Sequence, residues 1–505
     1  MAKSAKQRTC FVRRVILAGV ALVWASATLL PAQTIQPFQI QWHKTFGGSR
    51  NDWSTGAIGV ARDGGYLVSA LSDSADSGSQ DDCWLLRLDS AGRKVWQANP
   101  GGTRGDDLRD VKATSDGGWI LVGSSRSAPS LNKTSPNYGQ ADYWVVRLDD
   151  QGNTLWEKSF GGTGFDTAEA VIETADGGFL VVGGSGSDTN EVKSIAPFGS
   201  SDVWVLKLSA QGDLLWQRLY GGMDGEWAWA ADRWGTNGFV IAAQSGSPVG
   251  GNKDAPHYGA SDFWIIAIDH DGNKIWERSY GGDNDDQLRN LKQTSDGGFI
   301  ACGKSRSGVS GNKTTPLAGT YEDIWIIRLD PAGDRLWERS IIAQEHIENP
   351  FCLVQTIDGG FVVAGPSVEL HAWTVRLDAN GTRIWDHNFN ATPECFFRDM
   401  QTTSDGGLIA VGSTLLPWER WEVFVMKLAP DALTAPHLQL LPALAGAAGS
   451  LTLRGIPGRT YVTERTHNFV TWLPFATNTL SANSVELLDP APSSATRFYR
   501  AMMLP

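Results

Sequence analysis

One turn signature recurs seven times, and it constrains the fold more than any other feature. The copies are Asp63-Gly64-Gly65, Asp116-Gly117-Gly118, Asp176-Gly177-Gly178, Thr236-Asn237-Gly238, Asp296-Gly297-Gly298, Asp358-Gly359-Gly360 and Asp405-Gly406-Gly407. Asp-Gly and Asn-Gly supply the positive φ angles of a tight hairpin. The fourth copy loses Asp and keeps Asn-Gly, so the backbone demand persists. A β-rich run follows each turn, then a loop of varied length, then an alternating strand such as Tyr143 to Asp149. Trp84, Trp144, Trp204, Trp264, Trp325 and Trp373 anchor that strand, with Phe424 in the last copy, at intervals of 60, 60, 60, 61, 48 and 51 residues. A short turn and one more strand carry a second anchor at Trp96, Trp156, Trp216, Trp276, Trp337 and Trp385. Each unit therefore holds four short strands, a to d.

Seven such units predict an all-β fold, a seven-bladed β-propeller. The seventh unit stops after strand c at Lys427-Leu428-Ala429-Pro430 and lacks strand d. An orphan strand d lies at the other end, Gln41 to Gly48 with Trp42. Supplying it from the N-terminus closes the ring and removes an exposed edge. A β-solenoid would not need complementary half-units.

Before that strand, Lys3, Lys6, Arg8, Arg13 and Arg14 precede an apolar run from Val15 to Leu30, with small residues at Ala25, Ala27 and Ala32. This pattern predicts a Sec signal peptide over 1–33 and a secreted, extracellular or cell-surface bacterial protein. No later segment is long and apolar enough to span a membrane. Loss of those five positive charges takes the formal net charge from −12 to −17. With no basic tract, nucleic acid is excluded as a partner, and a monomer is expected. The propeller spans 34–430. Residues 431–445 are rich in Ala, Leu and Pro and read as a linker. Residues 446–505 carry short β runs, such as Tyr461-Val462-Thr463 and Phe498-Tyr499-Arg500, and read as a small β-sandwich-like domain. Cys83, Cys302, Cys352 and Cys395 lack metal-type spacing and read as small buried residues. The alternative for two of them is a Cys352–Cys395 disulfide.

The motifs W-x-x-x-[FY]-G-G, T-x-D-G-G and D-x-W-[VIL]-[VIL]-[RK]-L-D-x-x-G resemble a family of secreted bacterial β-propeller repeat proteins, some members of which are labelled endoglucanase-like. The resemblance covers residues 41–428. The tail, with Tyr461 to Arg465, Trp472 and Arg497 to Arg500, resembles C-terminal β domains of secreted verrucomicrobial proteins. The Asp89-x-x-Gly92-x-x-x-Trp96 turn is similar to the quinoprotein docking repeat, which has one more residue between Asp and Gly.

Two rings of acids recur. Asp52, Asp106, Asp166, Glu226, Asp286 and Glu348 lie ten or eleven residues before each turn, with Cys395 in the seventh copy. Asp82, Asp142, Asp202, Asp262, Asp323 and Glu422 lie two residues before the strand-c anchor, with His371 in the sixth. Carboxylates at strand ends suit backbone N–H groups; as a ring they also suit sugar hydroxyls or a bound cation such as Ca2+. Tyr138, Phe198 and Tyr258 precede strand c. Trp53 and Trp227 follow loop acids, and Trp418 sits in the last b–c loop. Flat rings beside acids suit sugar stacking. The expected function is non-enzymatic binding or adhesion, with a polysaccharide or cell-surface ligand on the face of the long b–c loops. No catalytic residue and no cofactor is assigned. A carbohydrate-active enzyme is the alternative, with a quinoprotein-like oxidoreductase behind it. Equivalent acids in equivalent units offer no acid–base pair of unlike surroundings, and only Glu348, His371 and Cys395 break the symmetry.

Overall fold

The computed structural model describes residues 37–73, 82–342, 350–366, 371–389, 391, 394–417, 419–430, 437–441, 450–454, 460–466, 473–479, 484–488 and 498–503. The segment read as a signal peptide, Glu348 and Trp418 lie outside the described residues. All described secondary structure is β-strand. Strand β1 (Ile40–Phe46) comes first. A four-stranded antiparallel sheet follows in sequence order: β2 (Asp52–Val60), β3 (Tyr66–Ser72), β4 (Asp82–Leu88) and β5 (Lys94–Ala98). The second sheet is β6 (Asp106–Ala113), β7 (Trp119–Ser125), β8 (Asp142–Leu148) and β9 (Thr154–Phe160). The third is β10 (Asp166–Glu173), β11 (Phe179–Ser185), β12 (Asp202–Leu208) and β13 (Leu214–Tyr220). The fourth is β14 (Glu226–Trp234), β15 (Gly238–Ser245), β16 (Asp262–Ile268) and β17 (Lys274–Tyr280). The fifth is β18 (Asp286–Gln293), β19 (Phe299–Ser305), β20 (Asp323–Leu329) and β21 (Arg335–Ile341). The sixth is β22 (Cys352–Gln355), β23 (Phe361–Pro366), β24 (Ala372–Leu377) and β25 (Arg383–Phe389).

The seventh sheet joins the two ends of the repeat region. Strands β26 (Glu394–Thr402), β27 (Leu408–Leu416) and β28 (Arg420–Leu428) take β1 as their fourth strand. Trp42 sits opposite Lys427 and Phe46 opposite Val423, and the Ala429 N–H donates to the Gln39 carbonyl at 2.8 Å. The first strands of consecutive sheets touch in order from β2 to β26, and β26 touches β2.

The two Trp anchors do different work. Trp144, Trp204, Trp264, Trp325 and Trp373 are at most 1% exposed and fill the space between sheets. The fourth-strand Trp instead lies on the c–d turn of the next sheet. A Cβ on Gly92 would press on the Trp42 ring, one on Gly152 on Trp96, and so on to Gly381 and Trp337. Those turn glycines also have φ between +72° and +87°, so Gly meets both demands. The seventh sheet has no such turn, and Phe38 takes its place, edge-on to Trp385 at 5.7 Å.

The repeated Asp of the first hairpin is an anchor for a buried cation on strand c. Arg87 binds Asp63 at 2.7 Å, Arg147 binds Asp116 at 2.5 Å, Lys207 binds Asp176 at 2.9 Å, and the pattern continues in Arg328–Asp296, Arg376–Asp358 and Lys427–Asp405. The fourth sheet has Thr236 for the Asp and Ala267 for the cation, so both partners are lost together. The guanidinium also caps backbone: Arg147 donates to the Trp119 carbonyl at 3.0 Å.

Cys352 and Cys395 are buried free thiols, so the Cys352–Cys395 disulfide does not form. Cys352 and Cys395 instead pack with Phe397, Met400 and Phe424. Beyond the seventh sheet, β29 (His437–Leu441), β30 (Ser450–Arg454), β31 (Thr460–Thr466), β32 (Leu473–Thr479), β33 (Ser484–Leu488) and β34 (Phe498–Met503) make two three-stranded antiparallel sheets, β29-β30-β33 and β32-β31-β34. Strand β29 lies inside the stretch that composition assigns to a linker. No described helix is long and apolar enough to cross a membrane.

Candidate functional site

The loop acids are interior groups. Asp52, Asp106, Asp166, Glu226 and Asp286 are at most 1% exposed. Asp106 accepts from Gly102 N at 2.6 Å, Ser125 Oγ at 2.5 Å and Ser127 Oγ at 2.9 Å. Asp166, Glu226 and Asp286 likewise accept from Gly162, Gly222 and Gly282 at 2.9, 2.7 and 2.7 Å, and Asp52 from Gly48 and Ser72. Each carboxylate thus fastens a Gly-Gly turn to the start of its sheet.

The second acids hold the aromatic loop residues. Tyr138 N, Phe198 N and Tyr258 N donate to Asp142, Asp202 and Asp262 at 2.6, 2.8 and 2.8 Å. These aromatics stay on separate loops. Phe198 is 40% exposed, and Tyr258 lines a cleft between the fourth and fifth sheets with Glu277, Arg278 and Arg335. The b–c loops themselves close around buried lysines, Lys133, Lys193, Lys253 and Lys313, none more than 2% exposed.

Burial pushes the carboxyls of Asp142 and Asp202 up to about 6, and the neighbouring Asp166 and Glu226 add to it. One oxygen of each, Oδ1, is buried without a hydrogen-bond partner. The folded state therefore holds these protons more tightly than the unfolded chain, where the pKa is near 3.8. Through these two groups stability falls as pH rises from about 4 to 6; Asp262, also raised to about 6, adds to the fall, and Glu169, raised by burial to about 7, extends it to about pH 7. Asp176, held near 2 by its bonds to Thr174 and Lys207, stays ionised throughout that window. His387, lowered by burial, opposes the trend as a single group. We expect the protein to melt a few degrees higher at pH 5 than at pH 7.5. Asp142→Asn with Asp202→Asn should raise the pH 7.5 melt and flatten the profile, each site being worth on the order of 2 kcal/mol. A double variant with an unchanged pH slope would refute this.

A cavity of about 320 Å³ is lined from the first-strand region of all seven sheets. The third residue after each loop acid faces it: Thr55, Arg109, Glu169, Trp229, Arg289, Phe351 and Arg398. In five sheets this residue is a β-bulge. The ladders skip Arg109, Glu169, Trp229, Arg289 and Arg398, and the first sheet skips Thr55 and Gly56. A bulge releases one residue from the ladder and re-aims its side chain. Trp53 and Leu71 mark the end from which the b–c loops leave, because the start of β2 pairs with the end of β3.

The lining is asymmetric. Arg109 donates to Asp107 at 2.9 Å and to Glu169 at 2.7 Å, and Trp227 Nε1 donates to the same Glu169 oxygen at 3.2 Å. Burial raises Glu169 to about 7 against the opposing pull of Arg109. Lys112 pairs with Asp110 at 2.5 Å. Arg289 lies 4.3 Å over the Trp229 ring. Asp399 accepts from Ile58 N at 3.2 Å and Met400 N at 2.7 Å. Of the expected ligand residues, Trp53 lines this cavity and Trp227 bonds Glu169 beside it. Tyr138, Phe198 and Tyr258 do not join them. Arg109, Glu169, Trp229, Arg289 and Arg398 were missed by the sequence reading. Their signal is variation at one fixed offset in a repeat whose neighbouring positions hold constant. Among the described residues no group of three or more His, Cys, Asp or Glu is placed to hold a metal ion.

No protein-family model matches the chain, and no curated protein matches it. Similar solved structures include an ulvan lyase of a polysaccharide lyase family, 11% identical, covering 77% of this chain and 97% of that one at a TM-score of 0.46. A putative gluconolactonase is 10% identical over 78% of this chain and 95% of that one at 0.35. A puromycin hydrolase is 12% identical over 83% and 62% at 0.43.

Proposed function

We propose that this chain is an exported, non-enzymatic binding protein: a seven-bladed β-propeller closed by β1, followed by a small β domain, with a carbohydrate or cell-surface ligand in the axial cavity. One observation carries this. The seven residues that face the axis are the part of the repeat that does not repeat. A scaffold under packing demands alone gives equivalent positions equivalent residues, as the Trp anchors show. Here one offset carries Thr, Arg, Glu, Trp, Arg, Phe and Arg. Aromatic faces with charged hydrogen-bonding groups in a cavity this size suit a small polar ligand. Trp53 and Leu71 carry the lining to the end of the strands from which the b–c loops leave.

A glycan screen on the mature protein tests the reading. Trp53→Ala and Trp229→Ala should each weaken binding about tenfold, roughly 1.4 kcal/mol, with little change in melting. Wild-type binding by both, with binding lost in Tyr138→Ala or Tyr258→Ala, would move the site to the loops. A second reading, glycosidic cleavage, is favoured by Asp107 and Glu169, two acids on one Arg109 in unlike surroundings. Product release from cellulose, xylan or β-glucan that disappears in Glu169→Gln would replace binding by catalysis.

A further inference from the structure

Among the described residues, the axial cavity is lined by cations and carboxylates in unequal number. Its lining carries five cations, Arg109, Lys112, Arg289, Lys292 and Arg398, and four carboxylates, Asp107, Asp110, Glu169 and Asp399. Arg109 uses both Asp107 and Glu169, and Lys112 uses Asp110. Asp399 is turned to backbone amides. Arg398 forms no ion pair among the described residues. Its Nε is buried without a hydrogen-bond partner. Its guanidinium sits 5.5 Å from the Phe351 ring centroid and 5.3 Å from that of Phe396.

We propose that the ligand of this cavity carries a carboxylate, as an acidic sugar does, and that Arg398 receives it. The proposal rests on the binding reading above and names the ligand class. A half-buried cation with no carboxylate in contact, opposed only at a distance by Asp107, is costly, and an incoming carboxylate lowers that cost. Two phenyl rings contact the guanidinium and restrict its motion, while its N–H donors remain for a bidentate pair with a planar carboxylate. Arg398 is also a bulge residue, so the strand is distorted at the point that aims it inward. Arg109 cannot serve as well, because both its carboxylate partners come from the chain itself.

The test uses the mature protein and calorimetry with oligogalacturonate, a neutral glucan oligomer of equal length and a sulfated oligomer. Wild type should bind oligogalacturonate at least tenfold more tightly than either other probe. Arg398→Met and Arg398→Lys should each lose at least tenfold for oligogalacturonate and leave the neutral probe unchanged. Arg398→Met should also melt at or above the wild-type temperature, because methionine fits between the two rings and removes an unpaired buried charge. A melt lowered by Arg398→Met would show that the guanidinium is paired within the chain, and would overturn the proposal. Equal binding of oligogalacturonate by wild type and Arg398→Met would overturn it too. Equally tight sulfated and carboxylated probes would overturn the carboxylate assignment. The axial reading survives all three results. It falls separately, if Trp53→Ala and Trp229→Ala bind every probe as wild type does.

Discussion

A chain that begins at residue 49 is expected to melt at least about 10 °C below one that begins at residue 34, across the whole repeat region, or to fail to express in soluble form. Strand β1 is the fourth strand of the seventh sheet, and its loss exposes the backbone edge of β28. The same deletion takes Trp42 off the Gly92 turn of the first sheet and Phe38 off Trp385 of the sixth. Three sheets are therefore affected by one short segment. Phe38 is 1% exposed. Full burial of Phe38 and partial burial of Trp42 are together worth on the order of 4 kcal/mol, before any ladder bonds. A synthetic 34–48 peptide added to the truncated protein should restore part of the lost melting temperature. A truncated protein that melts with the wild type would refute closure by this strand.

The ring of sheets was legible because its signals repeat. Seven turn motifs, two Trp anchors and a half-unit at each end give the strand order of the sheets and the pairing of β1 with β28 without any knowledge of contacts. Three features were less legible, each for its own reason. The [RK] before Leu-Asp on strand c is visible in the motif but not as the buried partner of the hairpin Asp that it is; the joint absence of the acid at Thr236 and of the cation at Ala267 is the available clue. The axial residues occupy an offset that varies from unit to unit. A repeat is found through constant positions, and Arg109, Glu169, Trp229, Arg289 and Arg398 occupy the varying one. Nor does strand periodicity reveal a bulge, since the skipped residue shifts alternation by one within a run of eight or nine. The third feature is the b–c loops. Their length and variety point to binding segments, and nothing in the sequence marks their lysines as buried, since lysine is rarely buried.

Those lysines give the other large expected effect. Lys253 is 1% exposed, and its ammonium donates to the carbonyls of Ser247 and Ala255 at 2.9 Å and of Pro256 at 3.4 Å. It also lies 5.9 Å from the Trp264 ring centroid. Lys193 and Lys313 make the matching bonds to Ser187 and Ile195, and to Ser307 and Thr315. One cation thus gathers carbonyls from both arms of the loop, which has no ladder of its own beyond a single bridge at Gly250 and Lys253. Lys253→Met keeps the bulk of the stem and deletes the donors. Three inward carbonyls then face no N–H, at about 1–3 kcal/mol for each that stays buried. We expect the melting temperature to fall by several degrees. Amides of residues 250–254 should lose hydrogen-exchange protection while the β14–β17 ladders keep theirs. Lys158→Met is the comparison, because Lys158 keeps 41% of its side chain exposed and pairs with Asp213 at the surface; it should cost less. If Lys253→Met melted within a degree of wild type with its loop amides still protected, the buried ammonium would not be what holds the loop, and the b–c face would regain its claim as a mobile binding surface.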